Sequence, residues 1–388
     1  MLPYKEVALV AATSLPYLKR SEHSAAWFIG MTFARMLKQA GLQKHQVDGL
    51  AIASFTLAPD SVVSMTEYLD ISPRWLEQIP MGGASGPVAA RRAARAVQAG
   101  DADIVACIGA DTATADTFTH LLQNFSRFAT DAVYPYGAGG PNTVFAMITR
   151  HYMEQFGAQR EDFGRICVAQ RENALAAGRA IFNKPLTLAA YLEARPISEP
   201  LHLYDCVMPV AGADGFLVMS VAQAEALELP YARLLAAGER HNAWAEDPVH
   251  VRGGWSCYRD ELYEQAGLGP ADIDLLQTYD DYPVIAMIQM EDLGFCEKGA
   301  GPEFVRSQTL TWNGGGLAHN TCGGQLSAGQ AGAAGGFLGA VEAIRQLTET
   351  GLPNQVPGAN TGLVSGYGMV NYDRCLCTSA MILGRGGQ

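Results

Sequence analysis

Short apolar runs alternate with stretches of helical periodicity along the first hundred residues. EVALVAAT (6–13) is an apolar run between polar residues and predicts a buried strand. SAAWFIGMTFARMLKQAGL (24–42) repeats its apolar residues at helical spacing and predicts a helix that stops at Gly41. VDGLAIASF (47–55) predicts a second strand. In QIPMGGASGPVAARRAARAVQAGDADIVACIGAD (78–111), a glycine-rich turn at Gly82–Gly86 runs into an amphipathic helix and then another buried strand. Alternating strand and helix patterns predict a mostly parallel sheet with helical crossovers.

The pattern then repeats. QAGLQKHQVDGLAIAS (39–54) resembles QAGLGPADIDLLQTYD (265–280), each reading as a helix end, a Gly stop, a loop with Asp and a strand. GGQLSAGQAGAAGGFLGAVEAIRQL (323–347) again sets a glycine-rich turn before a helix. Such self-similarity predicts two homologous α/β halves, 1–222 and 223–388. Two stacked sheets sharing a middle layer of helices would cover their apolar faces. Glycine costs about 1 kcal/mol relative to alanine inside a helix, so GQAGAAGGFLGAVEAI suits close packing in that layer. Between the halves, at about 115–200, a Pro-, Gly- and aromatic-rich excursion is expected to cover a site, and LYDCVMPVAGADGFLVMS (203–220) returns to strand character.

Composition narrows the class. Of 388 residues, 48% are hydrophobic and 17% charged, which fits a core-rich globular chain. A formal net charge of -12 disfavours nucleic acid and anionic membranes as partners. The first residues read as a strand rather than a signal peptide, and no apolar run is long enough to span a bilayer. The eight cysteines are scattered, without a CxxC pair, which fits a reduced, cytoplasmic protein. Cys375 and Cys377 alternate in a strand pattern and are expected to face the same side. His319 and Cys322 have ligand-like spacing but no second pair, so no metal site is expected.

Four segments, VDGLAIA, GASG with its helix and AGDADIVACIGAD, DCVMPVAGADGF, and GGQLSAGQAGAAGG, fall in the order and spacing of the thiolase superfamily. The chain resembles most the sterol-carrier or lipid-transfer branch, including the steroid side-chain aldolases. The resemblance implies an α/β thiolase fold, two duplicated halves in five αβαβα layers with a loop excursion. It also implies a homodimer and a coenzyme A thioester substrate with no covalently bound cofactor. The branch often works with a zinc-ribbon/OB-fold protein, which here would be a separate chain.

The resemblance also marks what is missing. Thiolases place their nucleophilic Cys at the position of Gly83. Their Gly-His-Pro reads Gly329-Gln330-Ala331, and the sterol-carrier His-Asp-Cys-Phe reads Tyr279-Asp280-Asp281-Tyr282. The C-terminal Cys-x-Gly loop reads VSGYGMVNYD, with Ser365 or Tyr367 near the Cys position. Claisen chemistry needs an acyl carrier, and glycine offers none. The elbow can still hold an oxyanion through backbone N–H groups at a helix N-terminus.

Retro-aldol cleavage of a β-hydroxyacyl-CoA needs that hole but no acyl-enzyme. The aldolases of this branch carry tyrosines at the positions of Tyr279 and Gln330, and this chain keeps the first. Tyr279 is the first choice for proton transfer, although a free tyrosine, with a pKa of ~10, needs a neighbour to act as a base. Gln330 is a candidate donor to the thioester oxygen, Tyr367 lines the opposite loop, and His319 is an alternative base. Cys322 is the rival nucleophile. Gly83, Ser85, Asp280, Tyr282, Asn320 and Gly324 are expected to line the substrate. Arg91, Arg92 and Arg95 either meet CoA phosphates or form a solvated or interface face. Two further readings stand beside the lyase: an acyltransferase of unusual mechanism, and a non-catalytic acyl-CoA-binding subunit of a complex.

Overall fold

The computed structural model describes residues 4, 6–112, 114, 135, 137, 140–348, 352–371 and 374–387. Residues 115–134 of the expected excursion lie outside the described residues. The strands are β1 (Val7–Ser14), β2 (Gly49–Ala53), β3 (Trp75–Gln78), β4 (Ile104–Thr112), β5 (Pro196–Ser198), β6 (Leu201–His202), β7 (Ala211–Ser220), β8 (Ala232–His241), β9 (Leu275–Gln277), β10 (Ala318–His319), β11 (Thr361–Asn371) and β12 (Arg374–Arg385). The helices used below are α1 (Ala25–Ala40), α2 (Val62–Leu69), α3 (Ser85–Ala99), α4 (Pro141–Phe156), α5 (Arg160–Ala177), α6 (Arg259–Ala266), α7 (Pro283–Asp292), α8 (Gly324–Ala328) and α9 (Gly335–Thr348).

Strand order is β10-β9-β11-β12-β8-β1-β7-β4-β2-β3, with β5 and β6 forming a separate hairpin. Read outward from its centre, the large sheet has one pattern twice: β1-β7-β4-β2-β3 and β8-β12-β11-β9-β10. The two sets join through β1 and β8, which share only the pairs Ala8↔Arg233 and Leu9↔Ala232. The similar segments fold alike. α1 ends at left-handed Gly41 and leads to β2, as α6 ends at left-handed Gly267 and leads to β9. Glycine reaches that conformation without the Cβ penalty.

The sheet is mixed, which corrects the expectation of a mostly parallel one. β2 runs parallel to β3 and β4, and β9 to β10 and β11. β7 runs antiparallel to β1 and β4, and β12 to β8 and β11. The strand-helix alternation is legible in the early segments. β12, however, follows β11 after only two residues, a connection that permits only an antiparallel partner.

α3 and α9 form the middle layer, against strands of both sets. Their shared core joins Val88, Ala89 and Ala93 to Phe337, Val341 and Ile344, with Phe216 from one set and Met381 from the other. Backbone approach here needs glycine, because a Cβ on Gly86 would overlap the Gly336 carbonyl. α9 starts at Gly335, so the preceding glycines are elbow rather than helix. Outer cores lie under α1 on one side and around α7 on the other.

Cys375 and Cys377 belong to different cores, contrary to the expected shared face. Alternation breaks beside Met369, whose left-handed φ of 60° turns the chain between Gly368, paired with Cys377, and Val370, paired with Cys375.

Candidate active site

The two glycine turns face each other across the middle layer. Gly82–Ala84 is a 3-10 turn that leads directly into α3, and Gly332–Ala334 is its counterpart before α9. Asp111, at the end of β4, anchors the second turn by accepting the Ala333 N–H at 2.6 Å. It also accepts the N–H groups of Phe55 (2.9 Å) and Thr56 (2.7 Å). Beside the first turn, Gly366 on β11 leaves room for Ala84, whose Cα would sit 2.7 Å from an added Cβ.

Gly83 is buried, and a Cβ there would overlap the ring of Tyr279 and the backbone carbonyl of Tyr367. The missing nucleophile has therefore not left a hole. An aromatic ring fills the space its side chain would need.

Gln289, on α7, fixes the Tyr279 backbone. Its side chain donates to the Tyr279 carbonyl at 2.6 Å, and its Oε1 accepts the Tyr279 N–H (3.3 Å) and the Ser365 hydroxyl (2.7 Å). Gln330 donates its Nε2–H to the Tyr279 hydroxyl at 3.2 Å. Gln330 is itself pinned, its N–H donating to Met208 O (2.8 Å) and its carbonyl accepting from Val210 N (3.0 Å). Burial, with Asp281 nearby, pushes the Tyr279 phenol well above its ordinary range, while the Gln330 contact pulls the other way. A phenol so shifted keeps its proton, and its oxygen accepts from Gln330.

Asp280 caps α8, accepting the N–H of Gln325 (2.9 Å) and of Leu326 (3.3 Å). Burial raises its carboxyl to about 7 against those bonds. Gly324 matters through close approach, since a Cβ on it would overlap the Asp280 carboxylate. Asn320, in a left-handed conformation, clasps the backbone of Thr278 through its side chain (2.8 and 3.1 Å). Cys322 lines the same cavity as Tyr279, Asp280, Asn320 and Gly324, and that cavity of about 10 Å³ holds no more than a water. Burial first, then Glu342, pushes the Cys322 thiol well above its ordinary value, the reverse of what a nucleophile needs.

The other candidates turn elsewhere. The His319 Nε2 pairs with the Thr278 hydroxyl at 2.8 Å, and burial lowers its pKa to about 3, so it is a neutral core imidazole. The Ser85 hydroxyl donates to Ile79 O at 3.3 Å. The Tyr282 hydroxyl donates to Asn142 at 2.6 Å while its ring stacks on Phe145 at 4.1 Å. The Tyr367 ring lies near Phe145 (5.8 Å) and Trp255 (6.1 Å), so Tyr282 and Tyr367 belong to one buried aromatic cluster behind the elbow. Arg91 pairs with Glu239 (2.5 Å), Arg92 with Glu77 (2.5 Å), and Arg95 lies over the Tyr4 ring (3.8 Å).

Two residues escaped the sequence reading. Gln289 has no motif signal, only its place on a helix after the Tyr279 loop. Gln325 lies five residues before Gln330, is buried, and bears on both Tyr279 and Asp280, with its Oε1 lacking a hydrogen-bond partner among the described residues. Neutral amides and a phenol thus converge where a thiolate would stand. They can polarise a carbonyl, but amides and a protonated phenol are far weaker nucleophiles than a thiolate.

Fold and site together define a thiolase-type protein without its covalent carrier. Residues 238–385 match the thiolase C-terminal domain-like family model. The chain is 31% identical to a steroid side-chain-cleaving aldolase of Thermomonospora curvata, over 90% of each chain. It is 32% identical to the 17-hydroxy-3-oxo-4-pregnene-20-carboxyl-CoA lyase of Mycobacterium tuberculosis, covering 98% of this chain and 99% of that one. The solved structure of an Ltp2-ChsH2(DUF35) aldolase superposes with a TM-score of 0.84 at 27% identity, over 98% of both chains. The chain belongs to the thiolase superfamily, in its branch of steroid side-chain-cleaving aldolases. It is an enzyme of that class, an acyl-CoA lyase of thiolase-like fold.

Proposed function

We propose that this enzyme cleaves the Cα–Cβ bond of a β-hydroxyacyl-CoA bearing a bulky ring system, by a retro-aldol reaction without an acyl-enzyme. One observation carries the mechanism: the Tyr279 ring fills the space of any side chain at residue 83. The thioester enolate then rests on neutral donors, with the Tyr279 hydroxyl and the Gln330 and Gln325 amides as candidates. Gly83 and its neighbours supply backbone around them.

The name of the Mycobacterium relative suggests the substrate class. In such a molecule the 17-hydroxyl is β to the thioester carbonyl, so cleavage leaves a ring ketone and a short acyl-CoA. The Ltp2-ChsH2(DUF35) aldolase carries two components in its name, which supports a separate partner for this chain; that it is of the zinc-ribbon/OB-fold kind rests on the family resemblance alone. The chain itself is proposed to act as a homodimer.

The test is to incubate the purified chain, alone and with such a partner, with the CoA thioester of 17-hydroxy-3-oxo-4-pregnene-20-carboxylate. Mass spectrometry should detect ketone and short acyl-CoA in equal amounts. Radiolabel retained on the protein from acetyl-CoA would favour the acyltransferase reading instead. No turnover in either setting would leave the non-catalytic one. The buried, protonated Cys322 weighs against its acting as an acyl carrier.

A further inference from the structure

Retro-aldol cleavage needs a group that removes the β-hydroxyl proton, and the geometry leaves few choices. Asp280 is committed to the N-terminus of α8. His319 faces Thr278, and burial keeps the Tyr279 phenol protonated, its oxygen accepting from Gln330. Asp281 is different. It is half-buried at the end of the loop that carries Tyr279, just before α7. Its Oδ1 is buried from solvent and has no hydrogen-bond partner among the described residues. The N–H groups of Asp281 and Tyr282 bear on the carboxyl and partly offset its burial. A buried carboxylate oxygen without a partner is rare in folded proteins and calls for a reason. Here a bound hydroxyl group would be that partner.

We infer that Asp281 is the group that takes the β-hydroxyl proton in the cleavage proposed above, on which this inference rests. The proton passes to the Asp281 carboxylate, and the O–H electron pair becomes the new C=O of the departing ketone. The Cα–Cβ pair moves onto the thioester as an enolate held by the Tyr279 and Gln330 donors. Protonated Asp281, or the Tyr279 hydroxyl, returns one proton to Cα, so the overall reaction consumes and releases none. The titratable groups that bear on Asp281 are Tyr279, Asp280, Tyr282, Cys206 and Cys375. Burial and Asp280 raise its carboxyl, so the carboxylate is a stronger base but forms only above that raised value, which is why the rate should climb with pH.

The test uses the full chain, with its partner if turnover requires one, and the 17-hydroxy-3-oxo-4-pregnene-20-carboxyl-CoA probe. Asp281→Asn should lower kcat about 10²–10⁴-fold with KM changed less than about threefold. Wild-type kcat should rise with pH through one ionisation, a limb that Asp281→Asn loses and Asp281→Glu keeps at a shifted position. Thermal stability should not fall in Asp281→Asn, because Oδ1 loses no partner. A kcat within about tenfold of wild type, or an unchanged pH limb in Asp281→Asn, overturns the assignment. If Asp281→Asn does not fold, an unshifted limb in Asp281→Glu overturns it. If the wild type leaves the probe intact, the reading of function falls and takes the base with it. Cleavage that persists in Asp281→Asn removes only the base.

Discussion

At the scale of single residues, Gly83 and Tyr279 exclude one another: a side chain at one position needs the space of the other. Gly83→Ala should cost about 1–3 kcal/mol by overpacking. Part of that loss should return in a Gly83→Ala/Tyr279→Ala double variant, as read from denaturant midpoints of both singles and the pair. Tyr279→Phe keeps the ring and deletes the donor, so kcat on the steroid thioester should fall about 10²–10³-fold while the fold stays intact. The buried titratable groups set opposing pH dependences. His319 has a folded pKa of about 3. An unfolded imidazole titrates at ~6.5, so the stability from neutral His319 is full above that pH and lost as pH falls toward 3. Asp280 runs the other way. Its contribution is full below the unfolded carboxylate value of ~3.9. It is lost as pH rises through its folded value of about 7. His319→Gln should therefore flatten the acid side of a urea-midpoint-against-pH curve and leave the neutral side unchanged.

At the scale of elements, α3 and α9 carry the heaviest mechanical duty. Phe337, on α9, is wholly buried and sits 5.8 Å from Phe216 of β7, filling the space that Gly109 on β4 leaves. Phe337→Ala should cost about 3–5 kcal/mol, because both a large apolar surface and its packing partners are lost. Calorimetry would check it. Most of these elements were legible. The strand at EVALVAAT, the helix that stops at Gly41 and the turn-helix-strand unit from Gly82 to β4 all stand where their periodicity put them. α2 and β3 went unread because they are short and only partly buried, so their hydrophobic contrast is weak. LYDCVMPV proved to be a 3-10 turn and irregular chain before β7, since an apolar composition without alternation does not specify a strand.

At the scale of the molecule, the two strand sets share the core around α3 and α9, so neither can close its inner face alone. We expect fragments 1–222 and 223–388 expressed separately to aggregate, and co-expressed fragments to assemble into a species with native circular dichroism. Size-exclusion chromatography would separate the outcomes. Two soluble, folded fragments would mean that the middle layer is dispensable. The ion pairs of Arg91 and Arg92 to Glu239 cross from α3 to β8 and add a polar tie to the same seam.

The amino-acid order alone determined the seeds of structure, their recurrence, and the absence of a thiol at residue 83, because these depend on residue type and on periods shorter than a helix. Folding decided the rest. That a tyrosine fills the space beside Gly83, that Asp280 is consumed as a helix cap, and that Asp281 keeps an oxygen unpartnered among the described residues are facts about residues brought together from different elements. Hydrophobic periodicity says which face of an element turns inward. It does not say which groups from other elements will meet there, and those meetings decide which carboxyl is tied up in a helix cap and which is not.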